Sequence, residues 1–255
     1  MNLEVGENIL LFENKMLTIK LGRSSTWFSP TFPKNVFIKP GDISLNLRVL
    51  RDIIYTCPNK EGLVPLLENV ELYGPMRLFL NKQETTISES ARPGIETLMW
   101  GLFRGDFHTV TSNALSILGL GSGLTPSCDD FLAGLILSLK IGGGALLKKR
   151  KAELIFHRKI SSKICRLAKA KTTVYSQILL NQARFGEGPE AIVELVHSIL
   201  TKDPNHVASV TKSVMKIGET SGADIAIGVY YGIRFLLSRL EHLSMRSIED
   251  LYEIS

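Results

Sequence analysis

From about residue 93 onward, this chain spaces its apolar residues three to four apart, and that spacing leaves little room for anything but packed helices. Helical segments follow one another at 93–104, then from the cap Asp106 to Leu118, and at 126–140, 152–170, 174–184, 189–200, 205–216 and 221–240. Their ends carry matching punctuation. Pro93 falls in a first turn, Asp106 stands where a cap is needed, and Gly119 follows a last turn. Gly142-Gly143-Gly144 and Gly186-Glu187-Gly188-Pro189 read as connections. The segment 131–139 is apolar on every side, which predicts a buried helix.

Ahead of residue 93 the period is nearer two. Residues 9–12 and 16–20 flank Glu13-Asn14-Lys15 as a hairpin would, 36–38 runs into Pro40-Gly41, and 76–80 follows Gly74-Pro75. Between these strand candidates, Ser44 can cap a helix with Leu47, Leu50, Ile53 and Ile54 on one side, ending before Pro58. The expected class is therefore α+β, a strand-rich N-terminal part packed on a mainly helical C-terminal part. The expected division is an N-terminal α+β region at 1–90 and a helical domain at 91–255.

Composition narrows the function. With 44% hydrophobic and 22% charged residues over 255 positions, the chain is globular and long enough to bury a core without staples. Cys57, Cys128 and Cys165 are odd in number and scattered, which points to a reducing compartment rather than a disulfide framework. The first residues carry Glu4 where a secretory signal would be basic, and the longest apolar run, 131–139, is too short to span a bilayer. A soluble, cytoplasmic protein with no membrane partner is expected. The net charge of +5 is not spread evenly. Residues 140–171 hold eleven Lys/Arg against one acid, Glu153, for +10, while the rest holds nineteen against twenty-four, for −5. Within that segment Lys159, Lys163 and Arg166 trail the apolar stripe Ile160, Ile164 and Leu167 by one position, so the cations line one side of a helix. They read as a solvated face, as a docking face for an acidic partner, or as a field that steers an anionic substrate. Nucleic acid ranks last, because no aromatic residues interleave with the bases.

The chemistry concentrates in 118–130, Leu-Gly-Leu-Gly-Ser-Gly-Leu-Thr-Pro-Ser-Cys-Asp-Asp. Alternate glycines at Gly119, Gly121 and Gly123 admit positive φ and let a ligand approach the backbone. Thr125-Pro126 opens a helix, and Ser127 with Asp130 offers a competing capping box. Free amides and the positive end of a helix dipole then stand beside the glycines, a place suited to phosphate or carboxylate. A plain glycine-rich connection would look similar, and the stretch lacks both the lysine of a Walker A loop and the dinucleotide fingerprint. Asp129 and Asp130 favour function, since they open a buried helix and at least one needs a donor, a cation or a ligand. The pattern recurs. Ser127-x-x-Asp130 aligns without gaps on Ser221-Gly222-Ala223-Asp224, with Gly134 and Gly228 each four residues past the aspartate. Glycines there allow two helices to approach closely, so these two are expected to be neighbours with their capped ends on one cleft. Lys171, Thr172, Thr173 and Ser176 form a third polar cluster, readable as N-capping by threonine or as a hydroxyl-and-ammonium rim for the same anion. The five histidines make no zinc pattern. Cys128 sits at a helix start, which would lower a thiol pKa, but no histidine is near it in sequence. No spacing rule marks a metal site. Were the ligand a phosphate, Asp129, Asp130 and Asp224 could hold magnesium.

The run 119–134 resembles the hallmark of a bacterial domain-of-unknown-function family that includes the small subunit of oxamate carbamoyltransferase, an enzyme of allantoin catabolism. The family's Thr-Thr-x-x-Ser is matched by Thr172, Thr173 and Ser176, and its Gly-x-Thr-Ser-Gly-x-Asp by Gly218, Thr220, Ser221, Gly222 and Asp224. Cys128 stands where the family usually has glycine. The resemblance implies a subunit that works beside an acyl-CoA-synthetase-like protein and a second partner, in moving a carbamoyl or acyl group between a small acid and phosphate. It implies that Gly121, Gly123, Thr125, Ser127, Thr172, Thr173, Ser176, Ser221, Gly222 and Asp224 bind the carboxylate or phosphate. Asp129 or Asp130 would then orient the carbamoyl nitrogen or act as general base. The alternative is a non-catalytic anion-binding or scaffold subunit that activates its partners.

Overall fold

The computed structural model describes the backbone of residues 3–6, 9–12, 17–20, 38–57, 59, 61–67 and 86–252, with side chains from residue 38 to 240 of these. The architecture is all-α, which corrects the α+β expectation. The described residues form nine α-helices: α1 (Pro40–Tyr55), α2 (Thr86–Arg104), α3 (Phe107–Ile117), α4 (Ser127–Leu146), α5 (Lys151–Ala168), α6 (Val174–Phe185), α7 (Glu190–Thr201), α8 (Pro204–Val214) and α9 (Ser221–Tyr252). The strands described are β1 (Leu3–Gly6), β2 (Ile9–Phe12) and β3 (Leu17–Lys20), an antiparallel meander with Leu3 opposite Phe12 and Ile9 opposite Lys20. Four residues per strand are few beside the long helices, so the meander does not set the class. β2 and β3 pair antiparallel, and the expected hairpin loop at residues 13–15 lies outside the described residues. Ile38 lies in no strand, and the candidate at 76–80 lies outside the described residues.

Helix starts differ from expectation where proline and glycine were read as punctuation. α1 begins at Pro40, not beyond Ser44, and the Ser44 hydroxyl bonds back to the Pro40 carbonyl at 3.1 Å. α2 begins at Thr86 and carries Pro93 inside it, so the expected boundary at residue 90 falls within a helix. Gly142-Gly143-Gly144 is not a connection but the last stretch of α4. Packing explains this: a Cβ on Gly142 would meet Ile233 and Leu236 of α9 at 2.8 Å, so glycine keeps two helices close instead of ending one.

The core forms around α4 and α9, which share the most extensive helix contact among the described residues. α3, α5, α6 and α7 pack on α4, and α1, α2 and α8 on α9. Asn46 of α1 ties that helix to the end of α7, its amide donating to Ile199 O at 3.0 Å and Lys202 O at 2.9 Å. Tyr231, fully buried in α9, donates to Leu66 O at 2.7 Å and so holds the 3-10 turn Val64–Leu67 against the core. Among the described residues, no helix is long and apolar enough to cross a membrane.

Candidate functional site

α4 and α9 run parallel, and their residues correspond at a constant offset of 94: Ser127 with Ser221, Asp130 with Asp224, Gly134 with Gly228. Their contacts are reciprocal. A Cβ on Gly134 would stand 2.1 Å from Ile225 O, and one on Gly228 would stand 2.0 Å from Phe131 O. Phe131 and Ile225 are themselves counterparts, so the pair has the contact pattern of a local twofold. Glycine at both positions allows backbone to lie on backbone, and this brings the two N-terminal ends together.

The ends meet differently from two separate capping boxes. The Ser221 hydroxyl stands near enough to the Asp130 carboxyl to lower its pKa, and the Ser127 hydroxyl does the same to Asp224, so each serine acts on the aspartate of the other helix. Pro126, at the cap of α4, makes no side-chain bond. Thr125 bridges the pair, its hydroxyl 3.1 Å from Asp130 Oδ2 and 3.1 Å from Ser221 Oγ. Asp224 Oδ1 accepts from Leu63 N at 2.8 Å, and a Cβ on Gly62 would lie 2.6 Å from the same oxygen. The Gly62-Leu63 contribution has no signature in the sequence around α9, since it arrives from 161 residues away.

The glycine-rich loop between α3 and α4 folds back over the first turn of α4. Gly119 (φ +81°) passes so close to the 171–173 segment that a Cβ would stand 2.5 Å from Lys171 O. Gly121 (φ +123°) lies against Ser127 N, where a Cβ would be 2.3 Å away, and Leu120 O accepts from Cys128 N at 3.0 Å. Gly123 (φ +90°) faces open space. The amides of Gly121, Ser122 and Gly123 find no acceptor among the described residues. Thr173 closes the loop from the α6 side: its hydroxyl donates to Leu124 O at 2.5 Å and accepts from Ser176 N at 3.2 Å as the α6 cap.

The two adjacent aspartates have different surroundings. Asp129 has both oxygens occupied, Oδ1 by Gly119 N at 2.9 Å and Oδ2 by the Thr172 hydroxyl, so it ties the loop and the 171–173 segment to α4. Asp130 keeps Oδ1 buried and without a partner, as Asp224 does Oδ2. Burial pushes the Asp130 carboxyl up to about 8, with the Asp224 and Asp129 charges adding to the rise and the Ser221 and Thr125 hydroxyls opposing it. Burial likewise raises Asp224 to about 6, against the Leu63 amide and the Ser127 and Thr220 hydroxyls. At neutral pH Asp130 therefore carries a proton. Cys128 is fully buried and its thiol is driven far up by desolvation and by Asp224 and Asp129, the reverse of what its place at a helix start suggested.

Most of the residues singled out by sequence thus converge: Gly121, Gly123, Thr125, Ser127, Asp129, Asp130, Thr172, Thr173, Ser221 and Asp224 stand around the joined ends of α4 and α9. Ser176 is buried in the first turn of α6 with its hydroxyl unpartnered. Gly222 faces the other way, where a Cβ would meet Val214 O of α8 at 2.0 Å. Of the three aspartates, Asp130 and Asp224 each keep one oxygen that a cation could take, whereas both oxygens of Asp129 are occupied. Among the described residues no group of three His, Cys, Asp or Glu side chains could hold a metal ion.

No solved structure matches the chain. Residues 117–233 match the model of the family described as oxamate carbamoyltransferase subunit AllH. That span begins at the last residue of α3 and contains the loop, Thr172, Thr173, Ser176 and both serine–aspartate helix starts. The part of the chain that builds most of this buried site is similar to the oxamate carbamoyltransferase subunit AllH family.

Proposed function

We propose that the chain is a subunit of an oxamate carbamoyltransferase-type complex and that it binds a small carboxylate or phosphate between the glycine-rich loop and the joined ends of α4 and α9. The observation that carries this reading is unmet hydrogen-bonding capacity at the joined helix ends: Asp130 Oδ1 and Asp224 Oδ2, both buried, beside a loop with unengaged amides. Native proteins leave few such groups, and a concentration of them calls for water, an ion or a ligand. The loop amides and the start of α4 supply positive potential for the anion, and the hydroxyls of Thr125, Thr173 and Ser221 supply further donors. Protonated Asp130 adds a donor of its own, so its acidity does not oppose an anionic ligand. Once deprotonated it, or Asp224, would accept from a carbamoyl N–H. Asp129 acts as a positioning residue by holding the loop in place. Partner subunits, including the acyl-CoA-synthetase-like protein expected from the family, complete the assembly.

Thermal melting across phosphate, oxamate and small dicarboxylates tests the site. A ligand at a hundred times its Kd stabilises by about 2.7 kcal/mol, a shift of several degrees or less for a chain of this size. Gly123→Val should remove the shift without a clash, since only its backbone angle is strained there. Absence of a shift with every anion, or an unchanged shift in the variant, would return the loop to a structural turn.

A second reading, a binding or scaffold subunit whose partners do the chemistry, draws on the state of the thiols. Cys128 is buried and strongly raised, Cys165 is also raised by burial, and neither is fit to be a nucleophile. Carbamoyl transfer by the isolated chain would reject it, whereas activity seen only with co-expressed partners would support it.

A further inference from the structure

Along the outer side of α5 runs a groove of about 570 Å³ lined by Ile155, Arg158, Lys159, Ser162 and Arg166, with Phe107 of α3 at one edge. The five α5 residues fall at i, i+3, i+4, i+7 and i+11, a single stripe roughly 16 Å long. Ile155 and Phe107 are 45% and 37% exposed. No ion pair among the described residues engages Arg158, Lys159 or Arg166, and the one acid of residues 140–171, Glu153, is taken by Arg239 of α9. Lys163, which the sequence grouped with Lys159 and Arg166, is not part of the groove.

We propose that this groove docks an acidic amphipathic helix from a partner protein. Three unneutralised cations in line ask for carboxylates at matching spacing, and like charges held together without counter-charges cost the free chain stability. The small Ser162 at mid-stripe leaves a hollow for an apolar side chain, and Ile155 with Phe107 offers a second apolar anchor at the end. A nucleic acid would meet the charges but make no use of Ile155, and the single ring of Phe107 at one edge is not a series of stacking platforms along the stripe. The proposal rests on the reading of the chain as a subunit of a complex, not on the anion site.

The test uses the full chain and a fluorescently labelled, glutamate-rich helical peptide bearing a leucine stripe. Anisotropy is read at low and high salt. Parallel titrations use the same peptide with its leucines replaced by serine, and a duplex DNA. Expected is saturable binding of the leucine-bearing peptide. The Arg158→Glu/Lys159→Glu/Arg166→Glu variant should bind it about tenfold or more weakly at low salt, with the salt dependence gone. Ile155→Ser, a single exposed change that leaves folding intact, should weaken binding at both salts. Gly123→Val should bind the peptide as wild type does, and the charge variant should keep any anion-induced thermal shift, so failure here and failure of the anion site are separable. Equal binding of the serine peptide, tighter binding of DNA, or no binding of the leucine peptide overturns the proposal. So does a dimer in sedimentation that the charge variant dissociates, since a second copy would then be the occupant.

Discussion

Asp129 and Asp130 adjoin in sequence and are almost equally buried, yet one side chain is fully bonded and the other keeps an oxygen in reserve. The difference has a pH consequence. Asp130 titrates near 8 in the folded chain against an ordinary 3.8, so folding binds its proton more tightly. The resulting stability is complete below about pH 4 and is lost as pH rises towards 8. Asp224, at about 6, loses its share earlier in the same direction. The melting temperature of the wild type should therefore fall from about pH 4 to 8, and Asp130→Asn should flatten the part between pH 6 and 8 and reduce, without abolishing, the slope between pH 4 and 6, where Asp224 still contributes. An identical slope in the variant would show that Asp130 is ionised throughout. At this scale the sequence offered the residue types and their grouping, since glycines, hydroxyls and carboxylates at fixed spacing are local facts. It could not separate Asp129 from Asp130, because the discriminating partners, Gly119 N and Thr172 for one and Ser221 for the other, come from other elements.

At the scale of elements, the repeated Ser-x-x-Asp with its glycine four residues on announced that α4 and α9 are neighbours, and the reciprocal contacts of Gly134 and Gly228 are the physical reason. Gly134→Ala or Gly228→Ala would push a methyl group into a backbone carbonyl that cannot swing aside. Each should cost about 1–3 kcal/mol or more, read as a lower denaturant midpoint. Gly144→Ala, on the exposed side of the same α4 with nothing within 4 Å, should instead stabilise by about 0.5–1 kcal/mol. Equal effects at the three positions would mean that helix propensity, not close approach, governs them. What the sequence hid at this scale is the same chemistry in another setting. Gly142 and Gly143 look like a loop by composition, but their partners, Ile233, Leu236 and His157, lie on α9 and α5, and only the packed molecule shows that small size was the requirement.

For the molecule as a whole, the helical majority was legible because period alone decides it, whereas the α+β assignment failed because short alternating runs look alike whether they found a sheet or form a small meander. The arrangement around α4 and α9 predicts a gradient of stability. Amides in the middle of these two helices should exchange with solvent only through global unfolding, while those of residues 121–124 should exchange through local opening. Ligand at the site should slow the loop and leave the helix centres unchanged. Hydrogen exchange read by mass spectrometry checks this, and loop amides as slow as those of α4 would contradict it.

The interlocked glycine notches of α4 and α9 also have a mechanical meaning. With the carbonyls of Phe131 and Ile225 seated in opposite notches, the two helices behave as a keyed shaft: neither can rotate alone, and axial slip would have to jump a whole turn, about 5.4 Å. Any message that reaches the site from a distant face of the protein must then move this shaft as one piece or bypass it through the loop that rides on its end.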